Sequence, residues 1–250
     1  MPAPLVVGFV LVVAASYTCA ATLGFGANVI AVALGAHLLP VEVLLPAILP
    51  TSLLLSGTLA LRDRRQIAWR TLLRDVLPWC ALGFPLGAYL FHAADPGMLR
   101  TLLGGLVAFL GALELLRGWM GPYAEQIPLP APVAALFLTA GGFVQGLFAS
   151  GGPLIVYVLA RRLKERGAFR ATLCALWVLL NSVLLGSYAV DGRIDSQTLE
   201  LTAWAVLPLL VGLGLGQQLH TRLPERAFRR AVHFVLLSSG IVLLARGLLR

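Results

Sequence analysis

Charge is what this chain has least of. Asp, Glu, Lys and Arg make up 12% of its 250 residues, while 59% are hydrophobic and the mean hydropathy is +0.89. A soluble domain carries about 25% charge, so a water-soluble fold is excluded and the chain reads as an all-α polytopic membrane protein. Acids are scarcer than bases, 11 against 19. No two acids pair inside an apolar block, and neither HExxH nor GxSxG occurs, so an enzyme is not expected. The phosphate-loop pattern GxxxxGK[ST] is also missing, so ATP coupling within the chain is not expected. The three cysteines, Cys19, Cys80 and Cys174, lie separately in apolar blocks with no CxxC. They read as small packing residues rather than metal ligands or disulfide partners, and no cofactor is expected. The Met1 end lacks the basic segment of a cleaved signal, so the first block is expected to be retained.

Eight apolar blocks are present: 4–36, 42–61, 71–91, 98–117, 131–160, 168–190, 199–219 and 227–249. Crossing the hydrocarbon takes about 20 residues, so the first and fifth blocks are too long for one helix. Both are broken by glycine, at Thr22–Asn28 and at Gly146–Pro153. The formal charge of +8 looks like a nucleic-acid signature until its distribution is read. Fourteen of the 19 basic residues fall in three clusters between blocks: Arg62, Arg64, Arg65, Arg70 and Arg74; Arg161, Arg162, Lys164, Arg166 and Arg170; Arg222, Arg226, Arg229 and Arg230. The positive-inside bias puts all three in the cytoplasm, and no nucleic acid is expected as a partner.

For the clusters to share a side, each broken block must enter and return at its break. The loops then assigned outside, His37–Val41, His92–Gly97 and Asp191–Thr198, hold one basic residue, Arg193. Each half becomes a broken hairpin, re-entrant or of short helices, plus three crossings. An odd net number inverts one half against the other. The expected architecture is two inverted repeats, 1–117 and 131–250, joined by the loop 118–130, with both termini outside. Inverted repeats with interrupted helices place substrate near the midplane between the repeats.

The second half contains Gly151-Gly152-Pro153, Tyr157–Ala160, Phe169–Leu173, Leu180-Asn181-Ser182, Gly212–Gly216, Leu223-Pro224-Glu225 and Ser239–Leu244. The first has its glycine turn, Pro50-Thr51-Ser52, a basic loop and Ile67–Arg70. This order resembles the TauE/SafE family of membrane proteins, the sulfite and organosulfonate exporters, over almost the whole chain. One departure is the first turn, where Gly24, Gly26 and Asn28 stand in place of adjacent glycines. The resemblance implies secondary transport of a small anion, often sulfur-containing, across a bacterial inner membrane, by alternating access.

Dehydrating such an anion requires donors inside the membrane. Two helix N-termini aimed at one point supply free amides and about half a positive charge each. Gly24, Gly26 and Asn28 are the candidates at the first break; Ser150, Gly151 and Gly152, followed by Pro153, are those at the second. The alternative is that these glycines only permit close helix crossing. Thr51-Ser52 and Asn181-Ser182 sit one crossing after each break, and Gln145 lies just before the second. Thr51, Ser52, Gln145 and Asn181 are therefore candidate donors, or else helix-to-helix hydrogen bonds. Arg170, three turns before Asn181, can attract the anion at the mouth or simply snorkel. Arg70, Arg74 and Asp75 read as an interfacial ion pair. His233 is a relay or a packing residue. Proton or sodium coupling stays open, since no acid is well placed inside a block. The rival readings are a passive anion channel of the same fold, an intramembrane enzyme and a structural subunit.

Overall fold

The computed structural model describes residues 3–23, 27–120, 129–222 and 225–248, all of them helix, turn or connection without a strand. The helices are α1 (Ala3–Leu23), α2 (Ala27–Gly35), α3 (Val41–Arg62), α4 (Leu77–Ala93), α5 (Pro96–Met120), α6 (Ala131–Phe148), α7 (Gly152–Arg162), α8 (Arg166–Val190), α9 (Ser196–Arg222) and α10 (Glu225–Leu248). A 3-10 turn, Arg64–Gln66, and a wide π turn, Thr71–Val76, lead into α4. Every apolar block becomes helix, and the two long blocks become the pairs α1–α2 and α6–α7.

Among the described residues, five segments are long and apolar enough to cross a membrane: Val41–Arg62, Thr71–Ala93, Pro96–Leu113, Ala131–Phe148 and Arg166–Val190. Lipid offers no partner for a backbone amide, so a continuous helix is the solution wherever the run is unbroken. Pro46 and Pro50 lie inside α3 without ending it. Helix starts follow local chemistry. The Asp95 carboxylate accepts the Met98 amide at 2.9 Å to cap α5, and Asp195 accepts the Thr198 amide at 2.8 Å to cap α9.

The chain forms two compact units, and each draws on both sequence halves. The first holds α1, α2, the start of α3, α5, α9 and α10; the second holds the end of α3, α4, α6, α7 and α8. In the first unit α1 lies along α9 and α5 along α10; in the second, α4 lies along α6.

Glycine makes these contacts close. A methyl group on Gly83 or Gly87 of α4 would strike the carbonyls of Thr139 and Phe143 in α6. One on Gly142 or Gly146 of α6 would strike those of Cys80 and Phe84 in α4. Two GxxxG pairs thus bring backbone against backbone, as small residues do in membranes. On α5 and α10, Gly104, Gly111 and Gly240 do the same against Leu244, Leu237 and Ala108.

In the first unit, the turn after α2 is tied down by His37. Its Nε2 lies 2.8 Å from the Ser239 hydroxyl, which itself donates to the Ala33 carbonyl at 3.0 Å. The histidine therefore donates from Nε2. Burial and the nearby Arg246 and Arg100 guanidiniums hold its pKa below the ordinary 6.5. A depressed histidine contributes stability above its unfolded pKa and loses it as pH falls. Lowering the pH from about 7.5 to about 5.5 should therefore lower the melting temperature more in the wild type than in His37→Gln. Equal slopes in differential scanning fluorimetry would remove His37 from that account.

Candidate functional site

The second break is built from its own backbone. Helix α6 ends because Ala149 adopts a left-handed conformation, φ 50 and ψ 28, while its amide still reaches the Gln145 carbonyl at 2.8 Å. The Ser150 hydroxyl donates to the Phe148 carbonyl at 2.9 Å, satisfying an acceptor the helix leaves open. Helix α7 then starts at Gly152 with Pro153 in its first turn, where the missing N–H is no loss.

Left-handed backbone costs an alanine about 1–2 kcal/mol, and glycine there would relieve it against about 0.5–1 kcal/mol of extra chain entropy. Ala149→Gly is therefore expected within about 1 kcal/mol of the wild type, and Ala149→Val well below both, because a branched Cβ cannot sit at this φ. Thermal unfolding in detergent orders the three. A valine variant as stable as the glycine one would contradict the conformation.

Gln145 organises the break. Its side-chain oxygen accepts the Gly151 amide at 2.9 Å, and its Nε2 donates to Asn181 Oδ1 on α8 at 2.7 Å. Gln145 is 1% exposed, Asn181 2% and Ser150 4%. With Asn181 Oδ1 taken as acceptor, its NH₂ is the end left to donate. The Gly152 and Leu154 amides, at the head of α7, carry no hydrogen bond among the described residues. A helix head and a buried amide thus both leave donors at the break, with the α7 dipole reinforcing those of the head. Such a group can replace part of the water shell of a small anion.

The two glycines have different roles. A methyl on Gly151 would collide with the Gly141 carbonyl and come within 2.9 Å of the Gln145 Cβ. A methyl on Gly152 would meet nothing closer than Trp177 Cζ2 at 3.8 Å. Gly151 is in an ordinary right-handed conformation, φ −66 and ψ −1, so it is glycine for space and not for φ.

The first break is only partly described: Gly24 and Gly26 lie outside the described residues. Asn28 is half-buried in the first turn of α2. Thr51, 1% exposed, gives its hydroxyl hydrogen to the Ile48 carbonyl at 2.7 Å, so the buried Tyr17 hydroxyl donates to it at 2.9 Å. Ser52 is buried. In each half a buried polar pair thus ties the first helix to the third, Tyr17–Thr51 and Gln145–Asn181. Tyr17 was missed from sequence, although Ser16-Tyr17-Thr18 is a polar triplet in an otherwise apolar run.

Arg170 and Asn181 are not brought together. Eleven residues of helix separate them by about 16 Å, and the Arg170 side chain is 55% exposed, paired with Asp63 at 2.7 Å. Asp75 likewise pairs with Arg162 of α7 at 3.1 Å, a correction to the expected pair with Arg70 or Arg74. A neighbour in sequence was taken for a neighbour in space.

Comparison with known proteins gives a consistent picture. Residues 8–243 match the family described as "Sulfite exporter TauE/SafE". The chain is 30% identical over 195 residues to a probable inner membrane transporter protein, TsaS, of Comamonas testosteroni, covering 78% of each chain. It is 28% identical over 218 residues to a probable membrane transporter protein, y4hK, of Sinorhizobium fredii, covering 79% of this chain and 83% of the relative. A probable sulfite/organosulfonate exporter, TauE, of Cupriavidus necator is 25% identical over 233 residues, 88% of this chain and 86% of the other. No solved structure matches.

Proposed function

Because the chain belongs to the sulfite exporter TauE/SafE family, and is thus an integral membrane protein of a transporter family, we propose that it is a secondary transporter of a small anion, bound at the interrupted helix α6–α7. A sulfur oxyanion, sulfite or an organosulfonate, is the class favoured by the name of its relative in Cupriavidus necator. One observation carries the reading: Gln145 and Asn181, both buried, are tied to the half-buried head of α7, where the Asn181 NH₂ and the Gly152 and Leu154 amides are left to donate at a break within an apolar block. Gln145 orients the group, Asn181 and the Gly152 and Leu154 amides contact the anion, and Ser150 closes the turn. Asn28, Thr51 and Ser52, with Gly24 and Gly26, form the corresponding half-site at the first break. Arg170 attracts anions to the mouth on the face with the basic clusters.

The two halves, 1–117 and 131–250, are read as inverted repeats, with the clusters in the cytoplasm of a bacterial inner membrane and both termini outside. The like order of helices supports this: α1 packs on the fourth helix of the other half, α9, and α6 on α4. Alternating access follows if the interrupted hairpins rock as rigid parts.

Uptake into proteoliposomes across sulfite, thiosulfate, sulfoacetate, acetate and chloride tests the proposal. Saturable flux of a sulfur oxyanion is expected, reduced at least about tenfold by Asn181→Leu, since a lost charge-assisted hydrogen bond is worth about 1.5–3 kcal/mol. Transport of none of these solutes defeats it. Flux that never saturates and ignores the proton and sodium gradients would instead favour a passive channel.

A further inference from the structure

The first basic cluster is more than a topology signal. The segment between α3 and α4 is fastened to the start of α8 at three points within the second unit. Asp63 accepts from Arg170 at 2.7 Å, the Ala68 amide donates to the Thr172 hydroxyl at 2.9 Å, and the Gln66 side chain lies against Gly167. Such a loop is held in one shape.

The fastening also engages Asp63, the acid beside the three arginines; the segment's other acid, Asp75, pairs with Arg162. Asp63 is turned toward α8, its side chain 11% exposed, while Arg62, Arg64 and Arg65 remain exposed and have no ion-pair partner among the described residues. These three arginines, with Leu61, Asp63 and Gln66, ring an open recess of about 480 Å³. Arg70 and Arg74 extend the positive strip. Apolar side chains accompany it: Leu61 is 72% exposed, Trp69 50% and Leu73 49%. Trp69 and Leu73 are four residues apart, on one face of the segment. Tryptophan favours the depth of the headgroups, because one end of its ring is apolar and the other wet.

We propose that this recess binds the headgroup of an anionic phospholipid. Its arginine forks hold the phosphate bidentately, and its apolar flank lies along the glycerol and upper acyl chain. A positive strip alone would be satisfied by diffuse attraction to any anionic surface. A pinned loop whose Asp63 is neutralised by Arg170, with three guanidiniums at one recess, adds a discrete site. The occupant is a lipid rather than a soluble phosphate, because the exposed apolar residues beside the arginines would otherwise face water.

Native mass spectrometry of the detergent-purified protein, with phosphatidylglycerol and phosphatidylcholine added in equal amounts, tests this. The wild type should retain phosphatidylglycerol at least about tenfold better, and the triple variant Arg62→Gln, Arg64→Gln, Arg65→Gln should lose that preference. Arg100→Gln, which alters a basic residue elsewhere, should keep it. Removing three charges can disturb membrane insertion, so the triple Arg→Lys variant is measured too. Lysine keeps the charge but not the fork, and an intermediate preference is expected. Equal retention of the two lipids by the wild type, or an undiminished preference in either triple variant, overturns the proposal. So does displacement of the lipid by millimolar glycerol 3-phosphate, which would make the ligand a soluble phosphate.

Discussion

Gly151→Ala is expected to abolish measurable transport, whereas Gly152→Ala keeps it within about twofold of the wild type. The added methyl at 151 has nowhere to go: the Gly141 carbonyl lies on one side and Gln145 on the other. Either α7 moves off α6, or Gln145 swings away and gives up both Gly151 and Asn181. Each response misplaces the donors proposed to meet the anion. Losing even one charge-assisted hydrogen bond costs about 1.5–3 kcal/mol, or about ten- to hundredfold in transport efficiency. At 152 the methyl finds ordinary contact distance from Trp177. Both variants are to be compared in proteoliposomes, at equal amounts of monodisperse protein. Equal activity for the two would show that the break tolerates the displaced geometry, and the α6–α7 site would lose its support.

The largest effect on folding is expected from the α4–α6 contact. In Gly142→Leu, Gly146→Leu two side chains enter a space where even a methyl collides with the backbone carbonyls of Cys80 and Phe84. Overpacking costs about 1–3 kcal/mol for a core that can yield. Here the obstacle is main chain on a continuous helix, which cannot step aside as a rotamer does. The double variant should fail to give a monodisperse peak on size exclusion. Gly186→Leu is the control, since nothing stands within 4 Å of a methyl at that position. The idea is lost if the double variant melts at the same temperature as Gly186→Leu.

These two predictions show what the amino-acid order makes legible. Block boundaries are readable because lipid punishes any unpaired backbone, so helix limits follow hydrophobicity within a few residues. Both breaks are readable for the same reason. The division of labour inside a break is not. Sequence suggests that glycine supplies the unusual backbone; the structure gives that task to Ala149 and makes Gly151 a matter of clearance. Pairing is equally hidden. Gln145 and Asn181 are 36 residues apart with a turn between them, and nothing in either neighbourhood names the other. Asp63–Arg170 spans 107 positions. Local spacing can say that a polar residue needs a partner, but only the packing of helices decides which one arrives.

The composition of the two units bears on the order in which the molecule can be completed. A ribosome delivers the chain from its N-terminal end, and every helix of the second unit has been made once Val190 emerges. The first unit is different: α1 is synthesised at the outset, yet its packing partner α9 is among the last segments made. Through most of translation α1 and α2 therefore lack the surface they finally cover, and must be sheltered by lipid or by the insertion machinery. The unit begun first is finished last, and a nascent chain halted near residue 191 would carry every helix of the second unit while α1 and α5 of the first still lack α9 and α10.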